Sequence, residues 1–222
     1  MVAESAEPSS VHRSTRGGAL SDDELLDAAC RVFAEFGFMG TSMSALARSA
    51  NSTKPTLYAH FGSKDQLYEA CLRREADKLT SRLFATYEQA ADLPLQQQIH
   101  ADMRAFFDHA AAHSDGFRLL FDDQTRGNLG TIRAELLAAI TDRVAGRIRN
   151  VITRNGGDTP TASAELLAAM VVGIAVHGAR QALLLRPLDP AQAGDLASSL
   201  AHMGLRSIDL DLMKSLDEDA HE

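Results

Sequence analysis

The stretch NSTKPTLYAHFGSKDQL, residues 51–67, decides how the rest of the chain is read. A hydroxyl residue, Thr53, precedes Lys54 and Pro55; Leu57 and Phe61 follow four apart; Gly62 and Ser63 close the segment. A proline is tolerated in the first turn of a helix because the backbone donors there have no intrahelical acceptor. With Thr53 as N-cap, Pro55 stiffens that turn, Leu57 and Phe61 make an inward stripe, and Gly62 ends the helix. Ser63-Lys-Asp-Gln66 then starts the next helix as a capping box. Asn51 stands in the preceding turn, where a left-handed backbone is often required and Asn tolerates it.

Working outward, residues 42–61 have the shape of a helix-turn-helix, in which one helix braces a second that enters a DNA groove. Met43, Leu46, Ala47 and Ala50 give the brace its apolar face, and Lys54, Thr56, Tyr58 and His60 are left pointing away from the core. Residues 36–64 contain no Asp or Glu, whereas Arg48, Lys54 and Lys64 lie among them, which predicts a local electropositive surface. The whole chain is acidic, with 22 Lys+Arg against 30 Asp+Glu and a net charge of −8. It is therefore no polycation that coats nucleic acid at large, and any such site is local.

The 222 residues read as all-α. Apolar positions recur at three and four, and no alternating run rich in β-branched residues occurs. Helices are expected over 21–37, 43–50, 53–61, 64–88, 94–113, 117–125, 128–154, 160–185 and 190–206, about nine in all. Ser21-Asp-Asp-Glu24 starts the first as a capping box, and Thr159-Pro160 and Asp189-Pro190 supply cap-plus-proline starts. The division expected is an N-terminal arm over 1–19, a small domain over 20–65, a larger helical domain over 66–210 and an acidic tail over 211–222. Arg13 and Arg16 in the arm are either a minor-groove contact or solvated tail charges. No apolar run marks a signal peptide or membrane span, and two cysteines, Cys30 and Cys71, make no disulfide framework; a cytoplasmic protein is expected.

The segment LLDAACRVFAEFGFMGTSMSALARSANSTKPTLYAHFGSKDQLYEACL closely resembles the DNA-binding domain of the tetracycline-repressor (TetR) family. Phe33-x-x-x-Gly37-Phe38-x-Gly40-Thr41-Ser42 and Thr56-Leu-Tyr58-x-His60-Phe-x-Ser63-Lys64 carry the likeness. Asn51, Ser52 and Pro55 depart from residues common in the family, and Pro55 bears on which bases are read. The resemblance implies that Thr41 or Ser42 meets phosphate, that Lys54, Thr56, Tyr58 and His60 form the recognition surface, and that Lys64 clamps a phosphate. It also implies a C-terminal domain that dimerises and binds a small molecule.

The remaining residues have features that suit both roles. AELLAAMVVGIAVHGARQALLL, residues 164–185, is apolar or small on all sides from Leu166 to Val176, so burial from two sides is expected. Ala169 and Gly173 would let a partner helix approach closely, and residues 160–185 with 190–206 make the expected homodimer interface. For an effector, Met103, Phe107, Phe121 and His177 are the candidate contacts, with Phe106, Phe117, Leu120 and Arg180 beside them. Composition there favours an apolar or aromatic effector.

Other chemistry leaves weaker traces. His109 and His113 are four apart, yet two ligands are not a metal site. Cys30 and Cys71 read as small core hydrophobes without a positive neighbour. No nucleophile elbow, phosphate loop or His-Glu-x-x-His motif is present, so neither an enzyme nor a cofactor is expected, and the cluster Arg118, Asp122, Asp123 and Arg126 reads as a solvated face or a structural ion pair. The expected function is a ligand-responsive, dimeric regulator that binds double-stranded DNA at an inverted repeat, a repressor released by its effector. An activator, an effector-independent DNA binder and a helical enzyme are the alternatives.

Overall fold

Capping side chains set most of the helix starts. In the computed structural model, which describes residues 21–122, 130–154 and 161–219, helix α1 spans Asp22–Gly40 and opens on a complete capping box. The Glu24 amide donates to Ser21 Oγ at 3.3 Å, and the Ser21 amide donates to Glu24 Oε2 at 2.9 Å. Ser42 caps α2 (Met43–Ser49), Thr53 caps α3 (Lys54–Phe61) and Ser63 caps α4 (Lys64–Gln89), each by accepting an amide in the first turn. Pro55 sits in the first turn of α3, and Asn51 takes φ 47° in the turn before it. Gly62 closes α3 at φ 73°, a conformation that strains any residue with a Cβ.

The larger unit is built from α5 (Leu95–Ala112), α6 (Ser114–Phe121), α7 (Gly130–Arg154), α8 (Ala162–Ala179), α9 (Pro190–Arg206) and α10 (Leu210–Asp219). A π-helical turn, Arg180–Leu185, extends α8, and Asp189 caps α9. No strand occurs among the described residues. Helix α5 packs on α4 and most extensively on α9, and α7 packs on α8. One buried set runs without a break from Leu25 in α1, through Leu67, Leu72, Leu79 and Leu83 of α4, to Ala201 in α9. Helix α4 thus belongs to both units and fixes the small one on the bundle.

One expectation changes at the C-terminal end. Residues 210–219 form a helix with Met213 buried, where an acidic tail was expected. The start expected at Thr159-Pro160 lies outside the described residues, as do the arm with Arg13 and Arg16 and the residues Asp123 and Arg126. Among the described residues, the first turn of α8 is capped from a distance. Asp217 of α10 accepts the Thr161 amide at 3.1 Å, the Ser163 amide at 2.9 Å and the Ser163 hydroxyl at 2.7 Å. A carboxylate at a helix N-terminus satisfies orphan donors and meets the positive end of the helix dipole, which is what turns an acidic segment inward here.

The stretch Ala162–Leu185 is long and apolar enough to cross a membrane by length and composition alone, although no such span was expected. Its Ala164, Ala168, Val172, Ala175 and Val176 pack inward against neighbouring helices, so it serves as a bundle helix.

Burial would raise the Asp217 pKa, but the hydrogen bonds from Ser163, Thr161 and Ala162 outweigh it and hold the group below the ordinary carboxylate value. Its contribution is therefore present above that ordinary value and is lost as pH falls through the lowered one. Asp217→Ala is expected to lower stability at neutral pH by about 1 kcal/mol, the usual cost of losing a cap. Urea titration checks this: an unchanged midpoint would show that α10 does not hold the start of α8.

Candidate nucleic-acid interface and effector cavity

Helix α3 turns one side to the core and the other to solvent. Leu57 is buried and Phe61 half-buried, while Lys54, Pro55, Tyr58 and Ala59 stand outward, with Tyr58 at 49% exposure. Lys54 and Tyr58 are four apart and share that face. Thr56 flanks it, its hydroxyl 2.8 Å from that of Thr53. Pro55 and Ala59 complete the face with small apolar surface, a contribution the spacing already contained because 55 and 59 follow 54 and 58 around the helix. His60 is on the other flank, where Nδ1 lies 2.5 Å from Oδ1 of Asp22 in α1. Asp22 thus brings a carboxylate, remote in sequence, to the edge of a segment that contains none of its own.

Three of the expected phosphate contacts are placed differently from one another. Ser42 is exposed at the start of α2, with its hydroxyl turned to the Ala45 amide. Thr41 is only 4% exposed, and its hydroxyl donates to the Gly37 carbonyl at 2.7 Å. It closes the end of α1, where Gly37 at φ 68° kinks the helix, and so is withdrawn from the outward surface. Lys64 is half-buried: its ammonium donates to the Phe38 and Thr41 carbonyls, both at 3.0 Å, and lies 4.1 Å from the Phe38 ring centroid. The lysine expected at a phosphate instead holds the α1–α2 turn, because the last carbonyls of α1 need donors.

The bundle holds a narrow apolar cavity of about 60 Å³ between α4, α5, α7, α8 and α9. Leu83, Ile99, Phe106, Val144, Val172 and Leu205 are among its apolar walls. Of the four effector contacts expected, Met103 lines it and the other three do not. Phe107 is a core wedge, its ring 3.3 Å from where a Cβ would stand at Gly178 and 3.5 Å from the same point at Gly194. Phe121 is fully buried against Phe117 and Phe106, with ring centroids 4.9 and 6.3 Å away. His177 is exposed on the outer face of α8, in line with Leu166, Met170 and Gly173. Arg180 pairs with Asp122 at 3.8 Å and does not line the cavity.

The polar part of the cavity was missed in the sequence. Arg147 of α7 donates to Asp102 Oδ2 and to Gln98 Oε1, both at 2.5 Å, and its guanidinium carbon lies 4.8 Å from the Tyr87 ring centroid. Burial pushes the Asp102 pKa up to about 6 against the lowering effect of Arg147. Gln98 and Asp102 are four apart on α5, as are Arg143 and Arg147 on α7, which is the signal that would have placed each pair on one helix face.

Elsewhere, Arg74 Nη2 lies 3.6 Å from Cys30 Sγ, so the positive neighbour that the sequence reading lacked is present. Cys30 and Cys71 are both buried, and hydrogen bonding to Cys30, with burial, pushes the Cys71 thiol up. The His109 and His113 rings stack with centroids 4.5 Å apart; burial, then His113, lowers His109 to about 4. Among the described residues no group of three or more His, Cys, Asp or Glu is placed to hold a metal.

Residues 25–71 match the model of bacterial regulatory proteins of the tetR family. The HTH-type transcriptional activator FasR of Mycolicibacterium smegmatis is 32% identical over 200 residues, covering 88% of this chain and 89% of that protein. The HTH-type transcriptional repressor KstR2 of the same organism is 33% identical over 107 residues, 47% of this chain and 49% of the relative. Among solved structures, a TetR-like transcriptional regulator from Rhodococcus sp. RHA1 superposes with a TM-score of 0.66 at 26% identity, covering 84% of this chain and 96% of that one.

Lys64→Ala removes two charge-assisted hydrogen bonds to partly buried carbonyls, so it is expected to destabilise the protein by about 1–2 kcal/mol in denaturant titration. The salt dependence of DNA binding is expected to stay at the wild-type slope; a slope smaller by about one would mean that the ammonium meets a phosphate instead.

Proposed function

Because the chain belongs to the tetR family of bacterial regulatory proteins, we propose that it is a ligand-responsive transcriptional regulator that acts in the cytoplasm as a dimer on an inverted-repeat operator. The observation that carries this reading is the outward face of α3, where Lys54 and Tyr58 project from a helix anchored by buried Leu57. In the proposed complex α3 lies in the major groove. Lys54, Tyr58 and the flanking Thr56 and His60 contact DNA, Pro55 and Ala59 offer apolar surface to thymine methyls, and Ser42 with Arg48 of α2 faces phosphate.

The proposed dimer forms through α8 and α9. Leu196, Leu200 and Met203 of α9 are exposed, Leu196 by 73%, and Leu166 and Met170 of α8 continue the patch. Open space surrounds the Cα of Gly173 and Gly204, which suits close approach of a second helix pair. A contiguous apolar surface of this kind is rare on a monomer and is covered when two copies meet around a two-fold axis. Two copies of α3 would then enter successive major grooves about 34 Å apart.

The effector is proposed to occupy the bundle cavity, whose walls favour an apolar molecule, and to release the DNA by favouring a dimer whose two α3 helices no longer match the groove spacing. A second reading, activation, is favoured by one observation: FasR, the relative that aligns over most of this chain, is an activator. Transcript levels in a strain lacking the protein separate the two signs.

Selection of bound sequences from random duplex DNA at moderate salt is expected to enrich an inverted repeat; no enrichment by the folded protein would overturn the reading. Lys54→Ala and Tyr58→Ala are each expected to weaken binding to that repeat by about tenfold or more, the scale of one lost base or phosphate contact, with melting unchanged. Light scattering is expected to give about twice the 23.9 kDa chain mass, and Leu200→Glu to return it to the monomer value. A wild-type monomer at micromolar concentration would sink the dimer.

A further inference from the structure

The mouth of the cavity opens onto a second space of a different character. A groove of about 370 Å³ runs along α7 and is lined by Arg143, Arg147, Arg149 and Arg154, against the carboxylates of Glu88 and Asp142. Tyr87, Gln98 and Arg147 line both spaces and form the boundary between them. One side of the boundary is apolar and the other carries four guanidinium groups. Arginines suit this use because the planar fork matches carboxylate and phosphate oxygens and remains charged at every working pH.

At the boundary the ion pair is incomplete. Arg147 spends its fork on Asp102 and Gln98, and Asp102 Oδ1 is buried with no hydrogen-bond partner. A carboxylate with one oxygen left bare in a cavity loses solvation that one arginine does not restore. Gln98 is fixed by its own amide, which donates to the Leu93 carbonyl at 2.7 Å and the Ala91 carbonyl at 3.2 Å, so the arrangement is built rather than loose.

We infer that the bundle takes an amphipathic organic anion, its apolar tail in the cavity and its charged head on Arg147 and the groove arginines, where the head replaces Asp102 as the partner of Arg147. This deepens the proposed effector site and rests on that reading. Asp102 is the protein's own stand-in for the ligand head. Once the head takes Arg147, the attraction that holds the carboxylate ionised is gone and burial remains, so Asp102 takes a proton from solvent. The charge that acts on Asp102 is that of Arg147 from α7; Tyr87 of α4 is held neutral by burial, and α8 and α9 contribute Val171, Val172, Ala175 and Leu205 to the lining. Binding is thereby coupled to proton uptake, and affinity rises as pH falls toward the Asp102 value of about 6.

The test uses the full chain and three probes with one tail: dodecanoate, dodecyl phosphate and dodecanol, titrated calorimetrically at about pH 7 in two buffers of different ionisation enthalpy. At least one anion is expected to bind about tenfold or more tightly than the alcohol, with uptake of up to about one proton. Preference for dodecyl phosphate assigns the groove to a phosphorylated head, and preference for dodecanoate to a carboxylate. Asp102→Asn is expected to bind the anion at least as tightly as wild type with no proton uptake, and Arg147→Ala to lose the preference over dodecanol. Equal binding of all three probes, binding without proton uptake, or weaker binding by Asp102→Asn would overturn the inference; the wild-type measurements decide it even where a variant fails to fold. Operator binding is measured on the same sample: if it is intact while the probes fail, this inference alone falls, and if no operator is bound, the proposed function falls instead.

Discussion

A buried carboxylate lies where the two units of this protein meet. Glu75 lies midway along α4 and is only 4% exposed, so its charge has to be answered from within the protein. Arg74 Nη2 and Lys78 Nζ answer it at 3.1 and 3.0 Å, and Arg74 also reaches Asp27 of α1 at 2.7 Å. The Cys30 thiol of α1 lies 3.9 Å from Glu75 Oε1, and a Cβ at Gly116 of α6 would come within 2.2 Å of Oε2. Helices from the small unit and from the bundle therefore converge on one group. Arg74 and Lys78 belong to α4 like Glu75, so the ties that cross between helices here are the Arg74–Asp27 pair to α1 and the close seating of Gly116 of α6 over the carboxylate. They join the shared apolar core in fixing the small unit on the bundle.

In the proposed mechanism, that attachment is what carries an event in the cavity to α3. Phe106 lines the cavity, and its ring meets those of Phe117 and Phe121 at 6.0 and 6.3 Å. Both belong to α6, which packs on α1, and α1 in turn packs on α4 and carries α2. Close-packed rings do not compress, so a tail that displaces Phe106 displaces α6 with it. Near the end of α6, Asp122 is tied to Arg180 in the π-helical turn after α8. The route from cavity to α3 is thus a chain of direct contacts that also touches the helix proposed for dimerisation.

How much of this was legible in the sequence depended on how local each cause is. Caps, the Asn51 turn, the Pro55 start and the Gly62 stop are decided within four residues, and each stands where the spacing of Ser21, Thr53, Ser63 and Asp189 put it. The outward face of α3 follows from period alone. The contacts that spacing did not reveal join residues far apart along the chain. Lys64 answers carbonyls of residues 38 and 41, His60 answers Asp22, and Asp217 caps a helix that starts 56 residues earlier at Thr161. Aromatic residues on α5 were assigned to a cavity because composition cannot distinguish a wall from a wedge; Gly178 and Gly194, which make room for Phe107, decide it. The cavity's polar end escaped notice because Asp102 and Arg147 lie 45 residues apart, on different helices.

The acidic balance of the chain bears on how such a reader discriminates. A net charge of −8 repels DNA at distances comparable to the Debye length, whereas the residues 36–64 bring only cations to the surface. Non-specific affinity, which comes from phosphate contacts, is therefore held low, and a single copy of α3 presents too few cations to offset it. In the proposed dimer, two copies held at fixed separation would act together, because binding of the first raises the effective concentration of the second only where spacing and orientation match. Specificity then resides less in any one side chain than in the rigidity that links α3 to α8 and α9. That rigidity is what Glu75 and the continuous core of α4 supply, and it is also the property through which occupancy of the cavity can change DNA affinity without any contact to DNA.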